Sequence, residues 1–302
     1  MAGVMTEVAS GAAVGVADKT SAETTAAHIQ YLLQLADNAL VLGQRNAEWC
    51  GHGPVLEEDI AMANISVDLI GQARLLYQHV AALKADGATE DTLAYFRDAP
   101  DFRNYTLVEL PHSVPGNGDE GRARDYAVTI VRNFLYSALM VLRWEALQQS
   151  ADVQLAAIAE RSVKETRYHL RHSRDWLVRL GDGTPESHVK AQAAWDHLLP
   201  YALEFWTEFA IENEVFAQGI GVATGSLRGD WQGLVNDAAQ EATLTFPVAT
   251  GTRAAPGAKP GITHGAKASA LPEGKHGDHS PHLAPLLAEM QSLARQHPGA
   301  TW

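Results

Sequence analysis

Apolar residues recur at helical spacing through most of this chain. Leu32, Leu33, Leu35, Ala36, Ala39, Leu40 and Leu42 line one face of a helix running from Ala27 to about Glu48. Gly51, Gly53 and Pro54 then break it. Ile60, Ala61, Ile65, Leu69, Leu76 and Val80 form the stripe of a second helix over about Val55–Lys84. Two more long helices are expected over about Tyr126–Ser150 and Val153–Leu180, with Gly181-Asp182-Gly183 as the stop of the latter. Further helices fit about Glu186–Glu214 (with an interruption at Pro200), Gly229–Ala242 and Leu283–Gln296.

The segments between these stripes lack a period. Residues 1–24 are rich in Ala, Gly, Ser and Thr and are expected to be a mobile tail, leaving 25–302 as one helical domain. Asp86–Asp125 is irregular, with one short helix at Thr92–Phe96. Gly116, Gly118 and Gly121 among acids mark it as an exposed connection. The Gly- and Pro-rich stretch 249–281 is expected to be loop. Leu244–Val248 is too short for a convincing strand and abuts Pro247. Long helices without a sheet predict an all-α bundle with additional C-terminal helices.

Composition narrows the function. A 302-residue chain that is 46% hydrophobic builds a sizeable core without covalent staples. The 23 Lys and Arg against 36 Asp and Glu give a net charge of −13, which argues against nucleic acid or an anionic membrane as partner. Cys50 is the lone cysteine, so neither an intrachain disulfide framework nor a thiolate zinc cluster is available, and a reducing cytoplasm is the expected compartment. No uncharged apolar run approaches a membrane span. Met1–Gly15 lacks a basic start, and Glu7 interrupts it, so no export signal is expected.

The informative constellation is a set of acids inside apolar stripes. Four-helix carboxylate bundles hold two metal ions with one Glu on each of two helices and Glu-x-x-His on each of the others. Asp37 lies between Leu33, Leu40 and Val41, Asp68 follows Asn64 and Ile65 by a turn, and Glu165 follows Arg161 by a turn. The ligand pattern is broken around them. Gly71 stands three residues after Asp68 and Tyr168 three after Glu165. His169 is one residue further on, rotated about 100° around the axis. The third long helix offers Tyr136 and Ser137 where an acid is needed. Two readings follow: a di-metal oxidoreductase using Asp37, Asp68, Glu165 and His169, or a degenerate site whose buried acids are satisfied by neighbours such as Arg161, Gln72 and Tyr168. The second is preferred.

The runs DNALVLGQRNAEWCGHGPVLEEDIAMANISVDLIGQARLLYQH, KETRYHLRHSRDWLVRLGDGT and HLAPLLAEMQSLARQHPGATW resemble the C subunits of bacterial ring-1,2-phenylacetyl-CoA epoxidases, a ferritin-like family. The resemblance covers about Tyr31–Trp302 apart from the loop around Ala254–Gly274. It implies a ferritin-like bundle serving aerobic phenylacetate breakdown as the non-catalytic partner of the di-iron A subunit, which carries the catalysis. A reductase with flavin and an iron–sulfur cluster would bring electrons from NADPH, and phenylacetyl-CoA would be the substrate of the complex. No cofactor is expected in this chain itself. The same resemblance points to Asp101, Phe102, Arg103 and Asn104 as a contact for the CoA ester. Arg suits a phosphate and Phe an adenine ring, although Asp101 and Arg103 depart from the family pattern.

Three other signals are set aside. His276, His279 and His282 sit among Gly277 and Pro281 and are expected in a solvated linker. Cys50 beside His52 is expected as a small buried thiol at a helix end. Gly116-Asn117-Gly118 follows no strand and is no nucleotide fingerprint.

Overall fold

An apolar stripe on a helix must be covered, and this chain covers its four longest by pairing them. The structure is a computed structural model that describes residues 9–115, 124–246 and 271–300. In chain order the helices are α1 (Ala9–Ala47), α2 (Leu56–Lys84), α3 (Glu90–Tyr95), α4 (Thr106–Glu109), α5 (Tyr126–Leu147), α6 (Val153–Gly181), α7 (Pro185–Leu198), α8 (Ala210–Ala217), α9 (Arg228–Glu241) and α10 (Leu283–Gln296). No strand occurs among the described residues, so the all-α expectation holds.

α1 and α2 form an antiparallel hairpin around the turn at Gly51, whose φ of 76° suits glycine. His28 at the middle of α1 lies beside His79 near the end of α2. Closer to the turn, a Cβ on Gly43 would meet Ile70 and Leu69 at 3.1 and 3.3 Å, which sets how closely the two helices approach. α5 and α6 form the second hairpin, with Tyr126 against Trp176 and Glu145 paired to Arg167. α5 is buried on nearly every side; Trp144 from it and Trp195 and Trp231 from α7 and α9 fill the centre. Trp231 Nε1 donates to the carbonyl of Leu135 at 3.1 Å. Two antiparallel pairs joined by a long crossover are the ferritin-like arrangement.

Four expectations need correction. α1 starts at Ala9, inside the stretch expected as a tail, because an alanine-rich run can extend a helix by propensity without an apolar stripe; residues 1–8 lie outside the described ones. The helix expected over Glu186–Glu214 is interrupted at Pro200 as expected, but the break is a 3₁₀ run over Leu199–Trp206 and the second piece, α8, starts only at Ala210 and ends beyond Glu214 at Ala217. α6 stops at Gly181-Asp182-Gly183 as expected, with Asp182 as its cap at φ −99°. Gly181 is required because a Cβ there would stand 2.1 Å from the carbonyl oxygen of Ala242. Cys50 is exposed, and the buried residue of that turn is Trp49, which donates to Thr129 Oγ1 at 2.8 Å.

The fourth correction concerns the irregular segments. Phe102 and Asn104–Leu110 are buried rather than an exposed connection; Gly116, Gly118 and Gly121 lie outside the described residues. Of the 249–281 loop, residues 271–281 are described and dock onto that same crossover. Glu204 accepts the N–H groups of Thr106 (2.8 Å) and Lys275 (2.9 Å), and Lys275 Nζ donates to the carbonyl of Thr207 at 2.6 Å. His279, expected in solvent, is half-buried with its side chain turned inward, Nδ1 2.8 Å from Glu109 Oε2 and Nε2 3.0 Å from the Phe102 carbonyl. α10 then lies on α3, with Gln291 donating to the carbonyls of Ala94 and Arg97.

Burial alone would lower the His279 pKa, but Glu109 outweighs it and the net shift is upward. A histidine with a raised folded pKa adds stability that is complete below its unfolded value near 6.5 and is lost as pH rises through the folded value. The melting-temperature difference between wild type and His279→Gln should therefore be largest below pH 6.5 and shrink on the alkaline side. A difference that grows with pH would contradict the charged pair.

Candidate functional site

The inward seam between α2 and α6 is polar. His169 Nε2 lies 3.0 Å from Asp68 Oδ2, and Gln72 Nε2 donates to Glu165 Oε2 at 2.9 Å. Arg161, one turn before Glu165, donates to its other oxygen at 3.3 Å. Below them Glu58 Oε2 accepts from Tyr126 Oη at 2.5 Å and lies 2.9 Å from His172 Nε2. Each acid of the seam has a partner from its own chain, as a degenerate site requires.

Counting three residues onward from each acid follows the wrong edge of the helices. A Cβ on Gly71 would meet open space, and Tyr168 is exposed, with its ring beside His172 and Arg171. Tyr168 is thus no partner of the acids. The inward positions belong to Gln72 and His169, which are almost fully buried. Asp68 itself is one-third exposed, its side chain at 34%. Ser137 is buried on α5.

Asp37 is not part of this seam. It is fully buried on α1, where Tyr77 Oη donates to Oδ1 at 2.6 Å and the Arg97 guanidinium reaches both carboxylate oxygens. The backbone N–H of Arg103 adds a donor to Oδ2 at 2.8 Å. Arg97 also stacks over Phe102, 4.3 Å from the ring centroid. Burial and the Asp37 charge raise the Tyr77 pKa well above its usual value, so the phenol remains a donor. Asp37 and Asp68 therefore belong to two separate networks.

The Asp101–Asn104 segment is held by the Asp37 network. Phe102 and Asn104 are fully buried, the latter donating to Glu109 Oε2 at 2.9 Å, so neither presents its side chain to a ligand here. Asp101 is exposed and accepts from the N–H of Asp98, while Arg103 is half-buried and donates to the carbonyls of Pro100 and Phe102. A di-metal centre needs about six carboxylate and imidazole ligands around one point. Asp37, Asp68, Glu165 and His169 do not converge on one, so these residues do not fit that group. The trio whose donors do converge, His28, His79 and Asp152, escaped the sequence reading because its members are far apart along the chain.

Two antiparallel pairs with a carboxylate-bearing seam define a ferritin-like all-α protein. The family model described as "Phenylacetic acid catabolic protein" (PaaA_PaaC) matches residues 11–302, and the chain belongs to that family. It is 42% identical over 272 residues to the C subunit of the 1,2-phenylacetyl-CoA epoxidase of Escherichia coli (strain K12), a match that covers 90% of this chain and 98% of that protein. No helix among the described residues is long and apolar enough to cross a membrane.

The two networks should differ sharply in energy. Arg97→Met leaves Asp37 buried and uncompensated and should destabilise the fold by about 3–5 kcal/mol in urea melts. Asp68→Asn, at a partly exposed pair, should cost no more than about 1 kcal/mol. Equal losses would show that Asp37 does not depend on its ion pair.

Proposed function

We propose that this chain is a non-catalytic subunit of a phenylacetyl-CoA 1,2-epoxidase in aerobic phenylacetate breakdown, bracing a di-iron catalytic subunit. The observation that carries it is the α2–α6 seam of self-satisfied acids: Asp68 is met by His169, Glu165 by Gln72 and Arg161, and Glu58 by Tyr126 and His172. Its relative in Escherichia coli is a subunit of that enzyme by name. In this reading phenylacetyl-CoA and oxygen are substrates of the assembly, and a reductase carrying flavin and an iron–sulfur cluster supplies electrons from NADPH, in the cytoplasm.

A second observation supports a partner of the same class. Leu56, Ile60, Val67 and Ile70 are exposed at helical spacing along the outer face of α2. Such a stripe is the signature of an interface core, and bracing a second bundle needs about 2,000 Å² or more of buried surface. α5, the other helix broad enough in apolar residues to be a candidate, is buried within its own chain and offers no such face.

Co-expression with the catalytic subunit should give a complex that survives gel filtration at micromolar concentration. Ile60→Lys combined with Val67→Glu should separate the two proteins while leaving the melting temperature of this chain unchanged. The chain alone should show no NADPH-dependent epoxidation and no spin-coupled di-iron signal, and the appearance of either would overturn the reading. Arg103 remains the one residue of its segment proposed for the CoA ester. Arg103→Ala should raise KM of the assembled enzyme by the equivalent of about 1–3 kcal/mol with kcat little changed; an unchanged KM returns it to a structural role.

A further inference from the structure

At the end of the bundle where α2 stops and α6 begins, three side chains unused by the seam meet. His28 on α1, His79 on α2 and Asp152, the cap of α6, place one donor atom each within 4.8 Å of the others. Among the described residues no other trio of His, Cys, Asp and Glu does so. His79 Nε2 lies 2.5 Å and His28 Nε2 2.8 Å from the same oxygen, Asp152 Oδ2. The other oxygen, Oδ1, accepts the N–H groups of Gln154 and Leu155 at 2.9 and 3.1 Å, which fixes the carboxylate while leaving Oδ2 for the imidazoles.

All three side chains are largely buried, between 8% and 12% exposed. The imidazoles stand near-perpendicular with centroids 5.8 Å apart. His28 Nε2 is shielded from water and off the line that a ring N–H needs, so it makes no hydrogen bond despite its proximity. Of the two nitrogens that face Oδ2, only that of His79 is aligned for a hydrogen bond.

We propose that His28, His79 and Asp152 form a mononuclear site for a divalent transition-metal ion, Zn²⁺ foremost, with water completing the coordination. Two imidazoles and one carboxylate are a donor set of zinc and non-haem iron sites. Donors bonded at 2.0–2.1 Å to a tetrahedral ion stand about 3.4 Å apart, so each imidazole nitrogen needs to draw back from Oδ2 by only about 0.6–0.9 Å. Small side-chain rotations supply that. The ion would tie together α1, α2 and the turn between α5 and α6, and its binding energy would add to the stability of that end of the bundle. The site is remote from the Asp68–Glu165 seam and does not rest on the proposed bracing role.

The test uses the untagged full-length chain, stripped with EDTA and titrated with ZnCl₂ by calorimetry, with melting followed in parallel. One ion per chain should bind with a Kd on the order of 1 µM or tighter and raise the melting temperature. Co²⁺ on the same wild-type protein should give the visible d–d bands of a site with nitrogen ligands. His79→Ala should weaken binding at least about tenfold, and so should Asp152→Asn, which keeps the oxygen that caps α6. Absence of both heat and a melting shift at about a hundredfold excess of zinc would overturn the proposal. So would a His28→Ala/His79→Ala double variant that melts cooperatively and binds zinc as tightly as wild type.

Discussion

A carboxylate buried in a helical bundle must be met by donors, and this fold is organised around four that are. Asp37 draws in Tyr77, Arg97 and the amide of Arg103. Glu109 is met by Asn104, His279 and the amide of Ser280. Glu204 accepts the amides of Thr106 and Lys275, although burial still pushes its pKa up to about 7. Glu212 faces the fully buried Arg143, which also donates to Tyr105 and Thr224. A single lost partner leaves a desolvated charge, so the segments supplying these donors cannot drift from the bundle without a large cost.

That constraint explains what was readable in the chain and what was not. The long helices declare themselves because each buries a stripe, and the ends of α2 and α10 fall within a residue of expectation. The crossover after α3 and the residues before α10 read as loop because they are buried through polar contacts, which leave no period in a sequence. His279 looked like solvated linker for the same reason; its partner Glu109 is 170 positions away. The acids of the seam were visible, but the face they belong to was not. Asp68 sits at the edge of the buried face of α2, so the position three residues on points outward at Gly71, and the inward position is Gln72. The convergence of His28, His79 and Asp152 depends on two helices running antiparallel and on a cap residue of a third, and no local spacing records that.

The two central hairpins carry different burdens. α5 is enclosed by α6, α7 and α9 and spends its apolar residues on its own chain's core. α2 contributes its inner face to α1, its polar edge to α6, and leaves Leu56, Ile60, Val67 and Ile70 outward. One helix thus reports on the interior and on a prospective neighbour at once.

A ferritin-like bundle normally has a problem at its centre: several carboxylates on facing helices repel one another unless cations neutralise them. Here the answering donors come from the chain itself. Gln72 brings an amide to Glu165 and His169 an imidazole to Asp68, while Arg97 brings a guanidinium to Asp37, which stands outside the seam altogether. Gln72 and His169 are held in place by the helices that carry them. Under the proposed bracing role such internal satisfaction suits the bundle, because a support that deformed at each turnover would transmit that deformation to the site it holds.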